Sequence, residues 1–199
     1  MINSQAEFFD SYADRWDSME REDIHILIDR VVREAEICPE MDILDVGTGT
    51  GVLIPSLLKA MNNSGKIIAI DISEGMLRVA KSKGFSDIVD FQLADIEKFV
   101  YTDSTFDRVM CNAVFPHFTN KGTVLSRIYQ MIKPGGCIVI SHPIGREAVN
   151  RVHSEAGSTV TEDRVPDAAK MRQLLESAGF TDIEIKDEPE FYIAIGRHS

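Results

Sequence analysis

Ile43-Leu44-Asp45-Val46-Gly47-Thr48-Gly49-Thr50-Gly51 is the stretch from which the rest of the chain can be read. A short apolar run ends in glycines at every second position. Val52, Leu53, Leu57 and Met61 then recur on one side of a helical pattern over 50–61. The order is strand, tight turn, helix. Glycine lets the backbone turn with positive φ and come close to a ligand. The dinucleotide fingerprint G-x-G-x-x-G, counted from Gly47, needs its third glycine at position 52, where Val52 stands. The pattern here is D-x-G-x-G-x-G. A carboxylate at Asp45 would oppose a pyrophosphate but favours a ligand bearing an ammonium and a sulfonium.

Outward from this loop, short apolar runs alternate with amphipathic stretches. Strands are expected over 42–46, 66–70, 89–93, 106–111 and 136–141, and two more over 180–186 and 190–196. Ser73 reads as the N-cap of a helix running to about Ser82, with Glu74 in its first turn. A helix over 121–132 stops at Lys133-Pro134-Gly135-Gly136, and a helix over 166–178 stops at Gly179. Strands that are apolar throughout, interleaved with helices, imply a parallel sheet covered on both faces, a doubly wound α/β domain. Residues 1–36, mostly helical by pattern, and the polar stretch 143–165 fall outside the rhythm. The expected organisation is one domain: cap 1–36, core 37–142, insertion 143–165, and a closing helix with two strands over 166–199.

Composition narrows the partners. The chain has 199 residues, with 21 Lys and Arg against 32 Asp and Glu, a net charge of −11. Such a surface repels phosphate backbones and anionic lipid, so neither nucleic acid nor membrane is expected as a partner. Cys38, Cys111 and Cys137 are scattered and form no C-x-x-C pair. That fits a reducing cytoplasm, and no metal site is expected. Met1 to Glu7 shows no cationic segment followed by an apolar run, so no signal peptide is expected.

Two further carboxylates stand at strand ends. Asp71 closes the second strand, where it can take both hydroxyls of a ribose. Asp95, in Leu93-Ala94-Asp95-Ile96, can accept from an exocyclic amine. Ile72, Met76 and Ile96 are placed to sandwich a flat base. Either carboxylate alone could equally be a helix N-cap.

These motifs together resemble the class I S-adenosylmethionine-dependent methyltransferases, in particular the small-molecule type that includes ubiquinone- and menaquinone-biosynthesis-like enzymes. Asp45 to Gly51 is similar to the family's first motif and Gly65 to Leu77 to its second. Ala94-Asp95-Ile96 is similar to the third, Phe106 to Ala113 to the fourth, and Met131 to Gly136 to the motif before strand five. Phe8-Phe9-Asp10, Tyr12, Ala13 and Trp16-Asp17 resemble the N-terminal cap. The resemblance implies a seven-stranded sheet with the last strand antiparallel and S-adenosylmethionine as cofactor. It implies Gly47, Thr48 and Gly49 against the methionine moiety, Asp71 on the ribose, and Ala94, Asp95 and Ile96 around the adenine. Tyr12 would close over the cofactor and Asn112 would lie near the reacting methyl. Tyr12 and Trp16, at helical spacing, could also be packing residues.

Absent motifs bear on the acceptor. After strand four the chain reads Asn112-Ala113-Val114-Phe115, without the Pro-Pro-aromatic sequence of enzymes that methylate amino groups on adenine or glutamine. No Pro-Cys pair there suggests a cytosine nucleophile, and no glutamate pair suggests an arginine clamp. With the acidic surface, this favours a small-molecule acceptor. His142 ends strand five and His117 follows strand four on the same rim. If 146–155 is helical, Arg146, Asn150 and His153 share one face, with Ile144, Ala148, Val149 and Val152 mostly on the other. Arg146 and Asn150 are candidates for binding the acceptor. His142, His117 and His153 are candidates for a general base, with a solvated face the alternative for His153. An aminopropyl transferase, a nicotinamide dehydrogenase and a non-catalytic cofactor-binding module are the competing readings of the same fold.

Overall fold

The computed structural model describes residues 4–155, 160–161 and 163–199. Seven strands form one sheet in the order β3-β2-β1-β4-β5-β7-β6. They are β1 Asp42–Val46, β2 Lys66–Asp71, β3 Val89–Leu93, β4 Phe106–Asn112, β5 Ile132–His142, β6 Thr181–Glu188 and β7 Phe191–Arg197. β1 to β5 run parallel; β7 is antiparallel to both its neighbours. The central strands are apolar at nearly every position because both faces are covered and successive side chains alternate between them. Leu44, Val46, Ile68, Ile70, Val109 and Ile138 enter one core, and Ile43, Ile67, Ala69, Met110 and Val139 the other.

Helices α1 Ser4–Tyr12, α2 Trp16–Met19, α3 Ile24–Glu34, α4 Ile54–Ala60, α5 Glu74–Ser82, α6 Lys121–Met131, α7 Arg146–Glu155 and α8 Ala168–Ala178 complete the described elements, with single turns of 3-10 helix at Ala13–Arg15 and Phe115–His117. Ser73 caps α5 as expected, accepting from the Met76 N–H at 3.0 Å. None of these helices is long and apolar enough to cross a membrane.

Beyond shifts of one or two residues at strand ends, four features differ from the pattern reading. Helix α4 begins at Ile54, not at 50, because Gly51 sits at φ +85° and continues the turn; Pro55 then fits the first helical turn. Strand β5 starts at Ile132, which pairs with Phe106, so Lys133-Pro134-Gly135-Gly136 lies within an irregular stretch of strand rather than before it. Helix α8 starts at Ala168, where Asp167 rather than Pro166 supplies the cap. Helix α3 belongs to the core and not to a cap. Its Ile28, Val31 and Val32 are buried in the cluster that holds Ile43, Leu57 and Met61. The chain thus reverses direction across the sheet between β1 and β4, and the glycine loop emerges at that switch point, where open α/β sheets hold their ligands.

Candidate functional site

Gly47 and Thr48 donate their N–H groups to the Ile70 carbonyl at 2.9 and 3.0 Å, which ties the turn after β1 to the end of β2. Gly47, Gly49 and Gly51 all hold positive φ. A Cβ at Gly47 would run into the Val114 side chain. At Gly49 it would meet nothing within 4 Å. The first glycine is required by packing. The second faces open space, a cradle that a side chain would fill.

That space is a cavity of about 740 Å³. Its floor is Val46 to Thr50, and Asp71, Ile72 and Met76 form one side with Ala94, Asp95 and Ile96. Asp71 is buried; its carboxylate accepts from the Gly49 N–H at 2.8 Å and from the Ser73 N–H at 2.9 Å. It thereby fixes the loop and keeps lone pairs for a ligand. Burial pushes its pKa up, opposed by the Ser73, Gly49 and Ile72 N–H groups. Asp95 also does turn work, accepting from the Glu97 N–H at 2.9 Å and from Lys98 at 2.8 Å. Neither carboxylate caps a helix, since α5 is capped by Ser73; each holds a turn and lines the cavity.

Asp45 lies beneath the loop and is fully buried, with Oδ2 unpartnered. Desolvation pushes its pKa up to about 7, the neighbouring Thr48 hydroxyl pulls part of the way back, and Asp71 adds to the rise. The Thr48 hydroxyl is close enough to Asp45 to act on it but makes no hydrogen bond of normal geometry. Thr48 lines the cavity and Asp45, expected as a cofactor contact, lies behind that wall; their unpartnered oxygens at the glycine turn fit a polar ligand.

The cavity continues past Asn112, whose Oδ1 accepts from the Ser141 hydroxyl at 2.9 Å, into a chamber roofed by the N-terminal segment. Gln5, Phe9, Trp16, Met19 and Ile24 line it from above, with Val114, His117, Phe118, Pro143 and Ile144 opposite. Phe9 packs edge-on between Trp16 at 5.8 Å and His117 at 5.2 Å. Tyr12 does not line the cavity; its ring packs at a tilt against Phe8 at 4.9 Å and under the Arg15 guanidinium at 4.4 Å. The wall positions fall at 9 and 16, a spacing of seven that the pattern contained but that Tyr12 between them obscured. Three carboxylates fasten the roof: Asp10 accepts from Ser73 and Gly75, Asp14 from Arg78, and Asp17 from Thr50 and Lys83.

The insertion is arranged differently from the face reading. Residues 156–159 and 162 of it lie outside the described residues. Arg146, Asn150 and His153 do share a face, but the face turns inward and is consumed by hydrogen bonds. Arg146 pairs with Asp187 at 3.0 Å. Asn150 donates to the Val165 carbonyl at 3.1 Å and accepts from the Val165 N–H at 2.8 Å. His153 Nδ1 donates to the Asp163 carbonyl at 2.9 Å. None of these three lines the cavity. Of the apolar set, Val149 is buried on this same side and Val152 is exposed. Among the described residues no group of His, Cys, Asp or Glu converges as metal ligands.

His142 is buried at the end of β5, with Nε2 unpartnered, and does not reach the cavity wall. Desolvation, then His117 and His153, push its pKa down from 6.5 to about 3. Between those values the unfolded chain binds a proton that the folded chain refuses. The stability His142 contributes is complete above 6.5 and is lost as pH falls. His142→Gln should therefore gain stability relative to the wild type on acidification, by about 2 kcal/mol between roughly pH 6.5 and pH 5. Urea denaturation of both proteins at the two pH values checks it; an unchanged difference would mean that His142 is solvated. Asp45 acts oppositely, since its raised pKa withdraws stability as pH rises from 3.8 to about 7.

Comparison with known proteins agrees with this geometry. A family model described as a methyltransferase domain matches residues 37–186. The ubiquinone/menaquinone biosynthesis C-methyltransferase of Hydrogenovibrio crunogenus is 27% identical over 95% of this chain and 86% of its own. The malonyl-(acyl-carrier protein) O-methyltransferase of Priestia megaterium is 32% identical over 77% of this chain and 53% of its own. A Haloferax volcanii methyltransferase solved with the Trm112 activator superposes with a TM-score of 0.81 at 19% identity, covering 99% of both chains, a likeness of fold.

Proposed function

The chain belongs to the class I S-adenosylmethionine-dependent methyltransferases, and from that premise we propose that it methylates a small, largely apolar molecule held under the N-terminal roof. The observation that carries the acceptor class is the chamber beyond Asn112. It is walled by Phe9, Trp16, Phe118 and Ile144 and opens from the same cavity as the glycine cradle. A volume of about 740 Å³ suits a nucleoside-sized ligand with a second small molecule beside it. The relatives that act on quinone precursors and on a malonyl thioester are consistent with such an acceptor.

When bound, S-adenosylmethionine supplies an electrophilic methyl group on a sulfonium. In this reading Gly49 leaves room for its methionine part, and Gly47 keeps the turn close against Val114 with Asp45 buried behind it. Asp71 takes the ribose hydroxyls. Asp95 accepts from the adenine amine, with Ile72, Met76 and Ile96 against the ring faces. Asn112, steadied by Ser141, lies between donor and acceptor. The aromatic roof excludes water and aligns the acceptor, which is most of what an in-line displacement with a good leaving group requires. Buried, unpaired Cys111 and Cys137 fit a reducing, cytoplasmic setting for this chemistry.

Labelled methyl groups tested against fractionated cell extract decide the acceptor class. Transfer is expected into the small-molecule fraction; label in RNA or protein would overturn that class. Hydrogen exchange gives a second expected result. S-adenosylhomocysteine should slow exchange over residues 4–19, because Asp10, Asp14 and Asp17 tie the roof to α5 and the glycine loop. No added protection there would mean that the roof does not close on the cofactor.

A further inference from the structure

The far wall of the chamber carries polar groups that cofactor binding does not use. The returning arm of the insertion, Asp163 to Val165, is pinned to α7. Asn150 makes two hydrogen bonds to Val165, Arg164 donates to the Asn150 carbonyl at 2.9 Å, and His153 holds the Asp163 carbonyl. The pinned arm presents the Asp163 carboxylate to His117, with Oδ2 at 2.6 Å from Nδ1. Both side chains are largely withdrawn from solvent, at 11% and 17% exposed. A carboxylate can only accept, so Nδ1 carries the hydrogen, and in the neutral ring that leaves the lone pair on Nε2. Nε2 has no hydrogen-bond partner among the described residues, and His117 lines the cavity beside Phe9.

We propose that Asp163 is a positioning residue that holds His117 as the general base for an acceptor bearing a ring hydroxyl. This rests on the methyltransferase reading and deepens it. A fixed base is useful only where the attacking atom must first lose a proton. Imidazole takes that proton most readily from a phenol or enol, whose acidity is closer to its own than that of an alkyl alcohol. A flat hydroxylated ring also matches the Phe9, Phe118 and Ile144 walls. In the step, the hydroxyl proton moves to His117 Nε2 and the O–H electron pair stays on the oxygen. The negative charge is shared between that oxygen and the ring carbons beside it, either of which can accept a methyl group. The resulting imidazolium is balanced by Asp163 and returns its proton to water. The carboxylate thus orients the imidazole and stabilises its charged form, as the third member of a catalytic triad does.

The test reads the imidazole directly. In protein labelled with 15N-histidine and saturated with S-adenosylhomocysteine, NMR at neutral pH should show neutral His117 with its hydrogen on Nδ1, the signals being assigned by their loss in His117→Gln. A hydrogen on Nε2, or on both nitrogens, overturns the proposal, and the tautomer is read in the wild-type protein itself. In Asp163→Ala the hydrogen should move to Nε2, with S-adenosylhomocysteine affinity within about twofold of wild type; retention on Nδ1 contradicts the positioning role. Asp163→Glu should restore the Nδ1 form. The acceptor class is read with 4-nitrophenol, whose ionised form is yellow. Loaded wild-type protein should deepen the colour and His117→Gln should not, and no change with the wild type removes ring hydroxyls. Failure of S-adenosylhomocysteine to bind would instead strike the methyltransferase reading itself.

Discussion

Valine at position 49 is expected to abolish cofactor binding in a protein that still folds. The Cβ of residue 49 would point into open cavity and touch no protein atom within 4 Å, so packing does not resist the change. The cost to the fold is confined to the backbone, where φ is +56°. A left-handed residue with a side chain costs about 1–2 kcal/mol, somewhat more for a β-branched one, against a typical stability of about 5–15 kcal/mol. The cost to binding is far larger, because the isopropyl group would take the space the ligand needs. Calorimetry should show S-adenosylhomocysteine affinity reduced more than about 100-fold, or about 3 kcal/mol. Gly47→Val is the contrast. Its side chain would collide with Val114, so it should lower thermal stability as well. Normal binding by folded Gly49→Val would make the loop a structural corner.

Asp71→Ala should weaken S-adenosylhomocysteine binding by about 1.5–3 kcal/mol, between roughly 10-fold and 150-fold. Two losses add. The ribose hydroxyls lose a charged acceptor, and the Gly49 N–H, now held at 2.8 Å by the same carboxylate, is released so that the loop loosens. Asp71→Asn separates them, since its amide oxygen can still accept from Gly49 but carries no charge. An intermediate loss is expected for Asn. Unchanged affinity in folded Asp71→Ala, measured by the same titration, would remove Asp71 from the site.

Both predictions concern residues that could be found by reading along the chain, and the reason is physical. In a parallel sheet the central strands are buried on both faces, so β2 carries the apolar run Ile67-Ile68-Ala69-Ile70 and β1 and β4 carry shorter ones. Asp71 closing β2, and Asp95 two residues past the end of β3, mark the edge where ligands bind. Glycine at 47 and 49 could be read for the same local reason. What resisted reading depends on distant partners. Strand β5 begins at Ile132, inside a Pro-Gly-Gly stretch that signals a break, because Phe106 offers it a pairing edge. Arg146 and Asn150 look like solvated or ligand-reading groups on a helical wheel. Their hydrogen bonds instead go to Asp187, 41 residues away, and to Val165, 15 residues away. Asp163 stands in a polar stretch with no periodicity, 46 residues from the histidine it contacts, and nothing local distinguishes it. Tyr12 and Phe9 are both aromatic residues of α1, and only the docking of the roof decides that Phe9 faces the chamber.

The measurement that bears most directly on the whole account is a calorimetric titration of the wild-type protein with S-adenosylhomocysteine, with NAD as the control. The glycine cradle and the Asp71 carboxylate together predict saturable one-to-one binding of S-adenosylhomocysteine and no heat with NAD, whose phosphate loop needs a third glycine where Val52 stands. Binding of NAD in preference to S-adenosylhomocysteine, or of neither, would contradict it.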